Sequence, residues 1–353
     1  MKKLVVIVIV AFTSNIFCID AQNLIAVQNS NTPTFYTSLD SAIVHAVNGD
    51  TIYIPGGNFA LNTNISKRLH IIGVGHNPDS TLVTNPTIIN VTSSLNLITG
   101  ASGGSLMGIK LNGNILFGNN SNQPISNYTV GRCYISSQNF SITSFSNASN
   151  NNLFFENIFI AANGNPNIDM SNASSNYFYN NIFSGTINGV SALRSIGVGS
   201  IFKNNIFIDG NNCYLNGISY SIFENNIFRN GTLIYSACND NIFNNNLFVN
   251  NINFPLATNN TGSNNIVNQT ATSIFVNQSG NTFTYTQDYH LQPTCPGKNA
   301  GRDGTDVGIY GGMYPWKSGS IPSNPHIQTM KIASQTDANG SLNVNIKVKA
   351  QDN

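Results

Sequence analysis

A hexapeptide of the pattern F-x-N-N-I-F recurs in the middle of the chain and constrains its fold more than any other feature. Its copies begin at Phe154, Phe178, Phe202, Phe223 and Phe243. Glutamate replaces the first asparagine in the first copy, and leucine replaces isoleucine in the last. Successive copies are 24, 24, 21 and 20 residues apart, which is the length of one turn of a solenoid. The pattern therefore predicts stacked coils.

Two kinds of solenoid have coils of this length. Leucine-rich repeats need the frame L-x-x-L-x-L-x-x-N, which the sequence lacks. The segments between copies are short apolar runs interrupted by glycine and asparagine, without helical periodicity. Such segments indicate a parallel β-helix with about three short strands in each coil.

The chain contains about 60 asparagines, a bias that calls for a physical reason. Equivalent residues of neighbouring coils lie about 4.8 Å apart, and asparagine tolerates the left-handed conformation of a tight bend. Stacked amides also hydrogen-bond along their column. We therefore expect a structural ladder at one bend, which Cys133 would end. Its members are Asn157, Asn181, Asn205, Asn226 and Asn246.

Each copy of the hexapeptide ends in two adjacent apolar residues. Neighbours on a strand face opposite sides, so one of the two columns would face outward unless the bend turns both inward. The sequence leaves both arrangements open. An exposed column would form an apolar stripe that contacts a partner, the C-terminal hairpin or the face of a sugar. The candidates are the phenylalanines or the column Ile158, Ile182, Ile206, Ile227 and Leu247.

Residues 1–21 have the composition of a signal peptide. Lys2 and Lys3 precede an apolar run, and Ala21 provides the small residue before the expected cleavage site. Acylation at Cys18 is the alternative, which the large residues before it disfavour. We therefore expect an exported protein, either secreted or held at the surface of a bacterium.

The charge balance of the mature chain argues against nucleic-acid binding, and its hydropathy argues against a transmembrane segment. Removing Lys2, Lys3 and Asp20 from 15 basic and 14 acidic residues leaves 13 of each, whereas a nucleic-acid-binding protein is expected to be basic. No later apolar run approaches the roughly 18 residues that cross a bilayer. We therefore expect neither nucleic-acid binding nor a transmembrane segment.

Both ends of the predicted solenoid resemble known proteins. A predicted helix that begins at Thr37 precedes residues 49–55 and 71–75, which are similar to the opening of pectin-lyase-like right-handed parallel β-helix proteins. Residues 303–312 are similar to the closing segment of many secreted bacterial β-helix proteins. The resemblance covers roughly residues 35–315. It implies an all-β, right-handed parallel β-helix solenoid of about ten coils with an N-terminal capping helix, but no single activity, because this fold carries many.

The sequence changes character after Trp316. Residues 318–325 are typical of a linker, and residues 326–333 and 342–350 predict two strands, the second of which alternates apolar and polar residues. The predicted domains are the signal peptide (1–21), the β-helix (22–316) and the linker with a C-terminal β-hairpin (317–353). We expect the hairpin to pack on the β-helix or on a partner.

The resemblance implies where catalytic chemistry would lie. Lyases of this fold use clustered carboxylates for calcium together with a lysine or arginine base, and its hydrolases use several aspartates. Calcium needs several oxygen ligands, and glycoside hydrolysis needs two carboxyl groups within about 10 Å. The carboxylates between residues 79 and 288 occupy different offsets from the ladder, so we expect no cluster. They are Glu156, Asp169, Asp209, Glu224 and Asp240.

A few charged residues remain as candidates. Lys203 and Glu224 occupy the same position in successive coils and should form an ion pair, which contributes less than about 1 kcal/mol if it is exposed. The catalytic candidates are Lys203, Asp288, Arg302 and Asp303. The candidate ligands of a calcium ion are Asp303 and Asp306. The charged residues from Asp288 to Asp306 have a structural alternative to catalysis or calcium binding, which is to close the C-terminal end of the β-helix.

Four cysteines follow the signal peptide, and their spacing fits no zinc site. They are Cys133, Cys213, Cys238 and Cys295. We expect buried thiols, and the pair to test for a disulfide is Cys213 with Cys238, about one coil apart.

Three functions are compatible with these features. We favour a noncatalytic scaffold that binds a neutral glycan or a protein through its Asn-, Ser- and Thr-rich face, because carboxylates are scarce and scattered. A polysaccharide lyase or glycoside hydrolase, with calcium as the cofactor considered, is the second. A structural adhesin is the third.

Overall fold

The computed structural model describes residues 24–29, 32–118, 123–137, 141–142, 149–161, 168–169, 173–185, 193–194, 198–208, 215–229, 233–256, 258–317 and 319–350. Its described part is a right-handed parallel β-helix, which confirms the predicted fold class. The predicted signal peptide lies outside the described residues. No helix within them is long and apolar enough to cross a lipid bilayer.

The first sheet forms one wall of the β-helix. At its N-terminal edge, Ile25–Asn29 pairs antiparallel with both of its neighbours, and from Thr51–Tyr53 onward all pairings are parallel. In spatial order, its strands are Thr32–Tyr36, Ile25–Asn29, Thr51–Tyr53, His70–Ile72, Ser105–Met107, Thr129–Gly131, Leu153–Phe155, Tyr177–Tyr179, Ile201–Lys203, Ile222–Glu224, Ile242–Asn244 and Thr261–Ser263.

The second sheet supplies the other two walls as two parallel ladders, which meet at the long strand Lys110–Phe117. On the N-terminal side, that strand is preceded by Gly57–Leu61 and Thr87–Leu97. One ladder continues through Tyr134–Ser137, Ile158–Ala161, Ile182–Gly185, Ile206–Ile208, Ile227–Phe228 and Leu247–Phe248. The other continues through Ser141–Ile142, Ile168–Asp169, Leu193–Arg194, Leu215–Asn216 and Ile234–Ser236. A coil thus has three short strands.

The number of regular turns differs from the prediction. About ten coils are expected from the sequence, whereas about five turns are regular, as many as there are copies of the hexapeptide. Within the copies the coil length stays between 20 and 24 residues, whereas outside them it varies more widely: 35 residues separate the paired Ile71 and Leu106. The parallel ladder of the first sheet continues there through irregular coils.

Short helices and two antiparallel strand pairs complete the molecule. The N-terminal end is covered by the helix Leu39–His45, whose N-cap is Ser38 rather than the predicted Thr37. Leu39, Ala42 and Ile43 of this helix are buried against the first coil. Three 3₁₀ turns span Pro78–Ser80, Thr99–Ala101 and Ala271–Ser273. The antiparallel pairs are Phe275–Asn277 with Asp288–Leu291 and the predicted hairpin, His326–Ile332 with Val344–Lys349.

Both phenylalanines of the hexapeptide face the lumen, where they stack between coils. From Phe154 to Phe243 the ring centroids are 4.6, 4.6, 4.9 and 4.8 Å apart, and a second stack runs from Phe159 to Phe248. The spacing of paired strands matches that of offset-stacked rings. The repeated phenylalanine therefore fills the core without changing the pitch of the coil.

The second asparagine of each copy forms the ladder. Its backbone N–H and its Nδ2 both donate to the Oδ1 of the next asparagine along the column, at 2.9 to 3.1 Å. Cys133 precedes the column and donates its N–H to Asn157, and the column continues past Asn246 to Asn265. A second ladder, which the sequence analysis missed, lies five residues earlier and includes Asn152, Asn176, Asn241 and Asn260.

The left-handed conformation belongs to the first asparagine of each pair, which corrects the expectation that the ladder asparagine adopts it. Asn180, Asn204, Asn225 and Asn245 have φ between 54° and 58°. Asparagine is favoured in both places for different reasons, because it tolerates positive φ at the bend and hydrogen-bonds within the column.

The exposed stripe, one of the two arrangements that the sequence left open, is not formed by this column, because Ile158, Ile182, Ile206, Ile227 and Leu247 are all 0% exposed. These side chains do face out of the lumen, and they form a second hydrophobic cluster with residues 274–309. Their cover includes Phe275, Leu291 and Ile309. At Gly308 (φ +90°), an added Cβ would stand 2.6 Å from the Ile227 side chain, so the cover packs directly on this column.

A C-terminal strap, residues 300–317 and 319–322, runs back along the bend beside this column. The first asparagines of the hexapeptides hold it: Asn245 Nδ2 donates to the carbonyl of Ala300, and Asn180 Nδ2 donates to the carbonyl of Ile309. Further towards the N-terminus, Arg132 donates to the carbonyl of Ile321. Part of the predicted linker, including the buried Ile321, therefore lies on the β-helix.

The hairpin makes few contacts with the solenoid. His326 at its base is buried and its Nε2 lies 3.2 Å from the carbonyl of Ser80, whereas most of the two strands is exposed. Its apolar side chains therefore pack little on the β-helix, one of the two expected sites, and packing on a partner stays a prediction.

Candidate functional site

A cleft of about 310 Å³ lies where the outer face of the first sheet meets the strap. Tyr179, Lys203 and Glu224 reach it from three successive strands, and Arg302 and Asp303 reach it from the strap. Three of the four catalytic candidates thus come together. The fourth, Asp288, does not line this cleft and instead accepts hydrogen bonds from the backbone and side chain of His290.

One carboxylate organises the charges of the cleft. Glu224 Oε1 lies 2.9 Å from Lys203 Nζ, and Glu224 Oε2 lies 3.0 Å from Arg302 Nη1. The first pair was expected from the repeat, and the direct pairing of Lys203 with Glu224 across the strands places it there. The second pair joins the strap to the sheet, because 78 residues separate Arg302 from Glu224.

The protonation of this carboxylate follows from its partners. Burial alone would raise the pKa of Glu224, but hydrogen bonds and charges from Lys203 and Arg302 outweigh it and leave the pKa below its usual value. Glu224 is therefore an anion at neutral pH, with both oxygens engaged. It is poorly suited to act as a general acid, which needs a raised pKa.

An aromatic wall borders the charged groups. Tyr179 stacks on Tyr314 of the strap at 5.8 Å, and Tyr314 stacks on Phe155 at 4.8 Å. Burial, with the neighbouring Tyr177, Tyr314 and Glu224, raises the pKa of Tyr179 to about 12. Its hydroxyl is therefore protonated at neutral pH and can donate a hydrogen bond.

An apolar column lies on the same outer face, two residues before Tyr179, Lys203, Glu224 and Asn244 in four successive strands and two residues before Phe155 in the strand that precedes them. We call it the open column: Leu153, Tyr177, Ile201, Ile222 and Ile242. It is half-buried over most of its length and 41% exposed at Ile242. The face thus presents an apolar row beside a row of hydrogen-bonding groups. This column was missed because its members vary, and the signal was the apolar residue before the first phenylalanine of each hexapeptide.

The candidate calcium ligands have other partners. Asp303 Oδ1 accepts from the N–H and hydroxyl of Thr305, and Asp306 accepts from Lys298 Nζ and the N–H of Asn299. Within the described ranges, no three histidine, cysteine or carboxylate side chains form a group that could hold a metal ion. A cation bound through Asp306 would also lie beside an ammonium. These residues do not fit a calcium site.

A buried ion pair beside the strap was missed by the sequence analysis. Arg132 Nη2 lies 3.2 Å from Glu156 Oε1, and both side chains are 0% exposed. The signal was the 24-residue coil step between them, the same step that places Cys133 one coil before Asn157. Burial raises the pKa of Glu156, and the Arg132 charge opposes this. Because the pair is inaccessible and anchors Ile321, we assign it a structural role.

The cysteines offer no accessible nucleophile in the described ranges. Cys133 and Cys295 are buried, and burial raises the pKa of Cys133 to about 12. Cys213 lies outside the described residues, so its pairing with the buried Cys238 stays a prediction.

The comparisons with known proteins concern the fold. No family model matches the chain, and no curated protein matches its sequence. Part of the chain is similar to an alginate lyase of the PL6 family, with a TM-score of 0.47 and 19% identity over 65% of this chain and 37% of the lyase. It is also similar to the ORF18 protein of Geobacillus virus E2, with a TM-score of 0.34 and 12% identity over 65% of this chain and 57% of that one. The chain thus spans little more than a third of the lyase.

Proposed function

We propose that this protein is an exported, noncatalytic scaffold that binds a glycan on the outer face of its first sheet. The observation that carries the proposal is the open column beside the Tyr179, Lys203, Glu224 and Arg302 groups. A sugar ring has apolar C–H faces and hydroxyl edges, and binding sites for such ligands combine apolar walls with a few fixed polar groups. Parallel coils repeat this combination along the face, which suits a chain of sugars.

The same geometry is poorly suited to cleavage. Glu224 has a lowered pKa and two cationic partners, and Lys203 donates to it rather than to an open position. Tyr179 keeps its proton at neutral pH because its pKa is raised. The other carboxylate that lines the cleft, Asp303, is held by the N–H and the hydroxyl of Thr305, which both donate to its Oδ1. The groups present can hold hydroxyls and orient rings.

The experiment measures binding and cleavage together on the purified mature protein. A panel of neutral and acidic polysaccharides, with and without calcium, is titrated by calorimetry, while unsaturated uronate absorbance and reducing ends are followed in parallel. We expect binding without cleavage. Cleavage of any member would overturn the proposal in favour of a lyase or hydrolase, and absence of binding across the panel would favour a structural adhesin.

A matched pair of variants locates the binding surface. Arg302→Gln removes a charged donor from the cleft, and should weaken glycan binding about tenfold or more, as expected when a charged hydrogen bond is lost. Arg194→Gln is the control, because Arg194 also pairs with a carboxylate, Asp169, but on another wall of the β-helix. Equal effects of the two variants would argue against the cleft.

A further inference from the structure

A second, smaller cavity of about 90 Å³ lies against the strap. Its walls come from three segments distant in sequence: the turn at His76, residues 283–289, and strap residues 310–316 and 319–320. Five of its lining side chains are aromatic, namely Phe283, Tyr285, Tyr289, Tyr310 and Trp316. All of these except Tyr289 are half-buried, so the cavity can communicate with solvent past them.

The hydrogen bonds of His76 define its tautomer. The Tyr285 hydroxyl donates its only proton to the His76 carbonyl at 3.2 Å, and the same oxygen lies 2.9 Å from His76 Nδ1. With this proton on the carbonyl, Nδ1 is the donor in the shorter contact. Burial, together with the Lys110 charge, lowers the pKa of His76 to about 3, so the ring is neutral and Nε2 carries a free lone pair.

Two buried polar atoms at this cavity lack a protein partner. His76 is 1% exposed and Ser320 is 0% exposed. Among the described residues, neither His76 Nε2 nor Ser320 Oγ has a hydrogen-bond partner. Leaving a buried polar atom unsatisfied costs roughly 1–3 kcal/mol. Two such atoms on residues that line one cavity indicate an occupant that hydrogen-bonds to them.

The walls restrict the chemistry of that occupant. The volume admits roughly three water molecules or an organic group of similar size. The occupant must donate to the His76 Nε2 lone pair, and the aromatic rings suit C–H groups. A charge would lose its hydration against a neutral imidazole, and the Lys110 ammonium is near enough to disfavour a cation. A hydroxyl on a short carbon skeleton satisfies all these conditions.

We infer that this cavity is a binding site for a small neutral polyol group, either a free polyol or the hydroxymethyl substituent of a sugar. The site uses residues other than those of the glycan cleft. The inference about this cavity can therefore be tested independently of the proposed function.

The single tryptophan of the chain makes the site directly observable. Trp316 is the only tryptophan and it lines the cavity, so its fluorescence reports occupancy. The probes are glycerol, methyl glucoside and methyl xyloside, which lacks the hydroxymethyl group. We expect a saturable change at millimolar concentration. Saturation by glycerol alone identifies a free polyol, and saturation by methyl glucoside but not methyl xyloside identifies a sugar substituent.

Two variants and one control complete the test. His76→Phe keeps a ring but removes the acceptor, and Ser320→Ala removes only a hydroxyl; each should weaken binding about tenfold. Thermal unfolding without probe shows whether each variant folds. If His76→Phe does not fold, the affinity of Ser320→Ala for the probes decides the test. His290→Phe is the control, because His290 stacks on Tyr310 at 3.7 Å but does not line the cavity. The absence of a saturable response to every probe would mean that only water occupies the cavity, and it would overturn the inference. Unchanged affinity for the probes in both variants would also overturn it.

Discussion

Two apolar columns face outward from the same coils, and they differ in their exposure to solvent. The column from Ile158 to Leu247 on the second sheet is completely covered by residues 274–309, whereas the open column on the first sheet keeps part of its surface in solvent. Both consist of one apolar residue per coil. The difference shows that an outward apolar column in a β-helix can be either an internal docking site or a ligand surface. The path of the chain after the last coil decides which.

The polar residues beside each column agree with these roles. Beside the covered column, the amides of Asn180, Asn204 and Asn245 are directed to the carbonyls of the strap. Beside the open column, the charges of Lys203, Glu224 and Arg302 line a cleft. Neutral amides satisfy a buried backbone without the desolvation cost of an ion, whereas charges remain near water.

The largest expected effect comes from truncating one residue in each column. Ile206→Ala should lower the free energy of unfolding by about 2–5 kcal/mol, because it leaves a cavity between the sheet and its cover. Ile242→Ala, at a position 41% exposed, should lower it by less than about 1 kcal/mol. Urea denaturation measures both. Similar losses would mean that the two columns are not differently covered.

An intermediate effect is expected from loosening the strap. Asn204 donates to the carbonyls of Asp306 and Gly308, and its φ of 55° allows replacement by glycine without strain. Asn204→Gly should cost about 1–2 kcal/mol and speed amide hydrogen exchange at Gly308. Exchange at the lumen residue Phe202 serves as the internal reference. Unchanged exchange at Gly308 would show that the amide does not hold the strap.

The smallest effect is a pH dependence on the open face. The folded-state pKa of Glu224 is lowered, so its contribution to stability is present above its ordinary pKa of about 4.5 and disappears as pH falls through the folded value. Glu224→Gln should therefore flatten the acid side of the stability profile, measured as the denaturation midpoint from pH 7 to pH 3. The raised pKa of the buried Glu156 acts in the opposite sense, so Glu156→Gln should steepen that loss. The same response in both variants would contradict these assignments.

How much could be predicted depends on how local the interaction is. Lys203 and Glu224 were expected to meet because they share a position in successive coils, and their pairing across strands bears this out. Arg302 was a catalytic candidate of the closing segment, but its pairing with Glu224 was not predicted, since nothing local says that the two residues lie together. The open column was overlooked because leucine, tyrosine and isoleucine all occur in it, whereas the two residues that end each hexapeptide are nearly constant.

The sequence by itself determined the coil: its length, its stacked phenylalanines and its asparagine ladder, because each depends on contacts between one coil and the next. Only the tertiary structure decided which outward column is covered, that Arg302 joins Lys203 and Glu224, and that His76 meets Trp316 at one cavity. Those contacts join segments that are far apart in the chain. Such contacts depend on where the strap runs once the solenoid is complete, and no repeat spacing encodes that path.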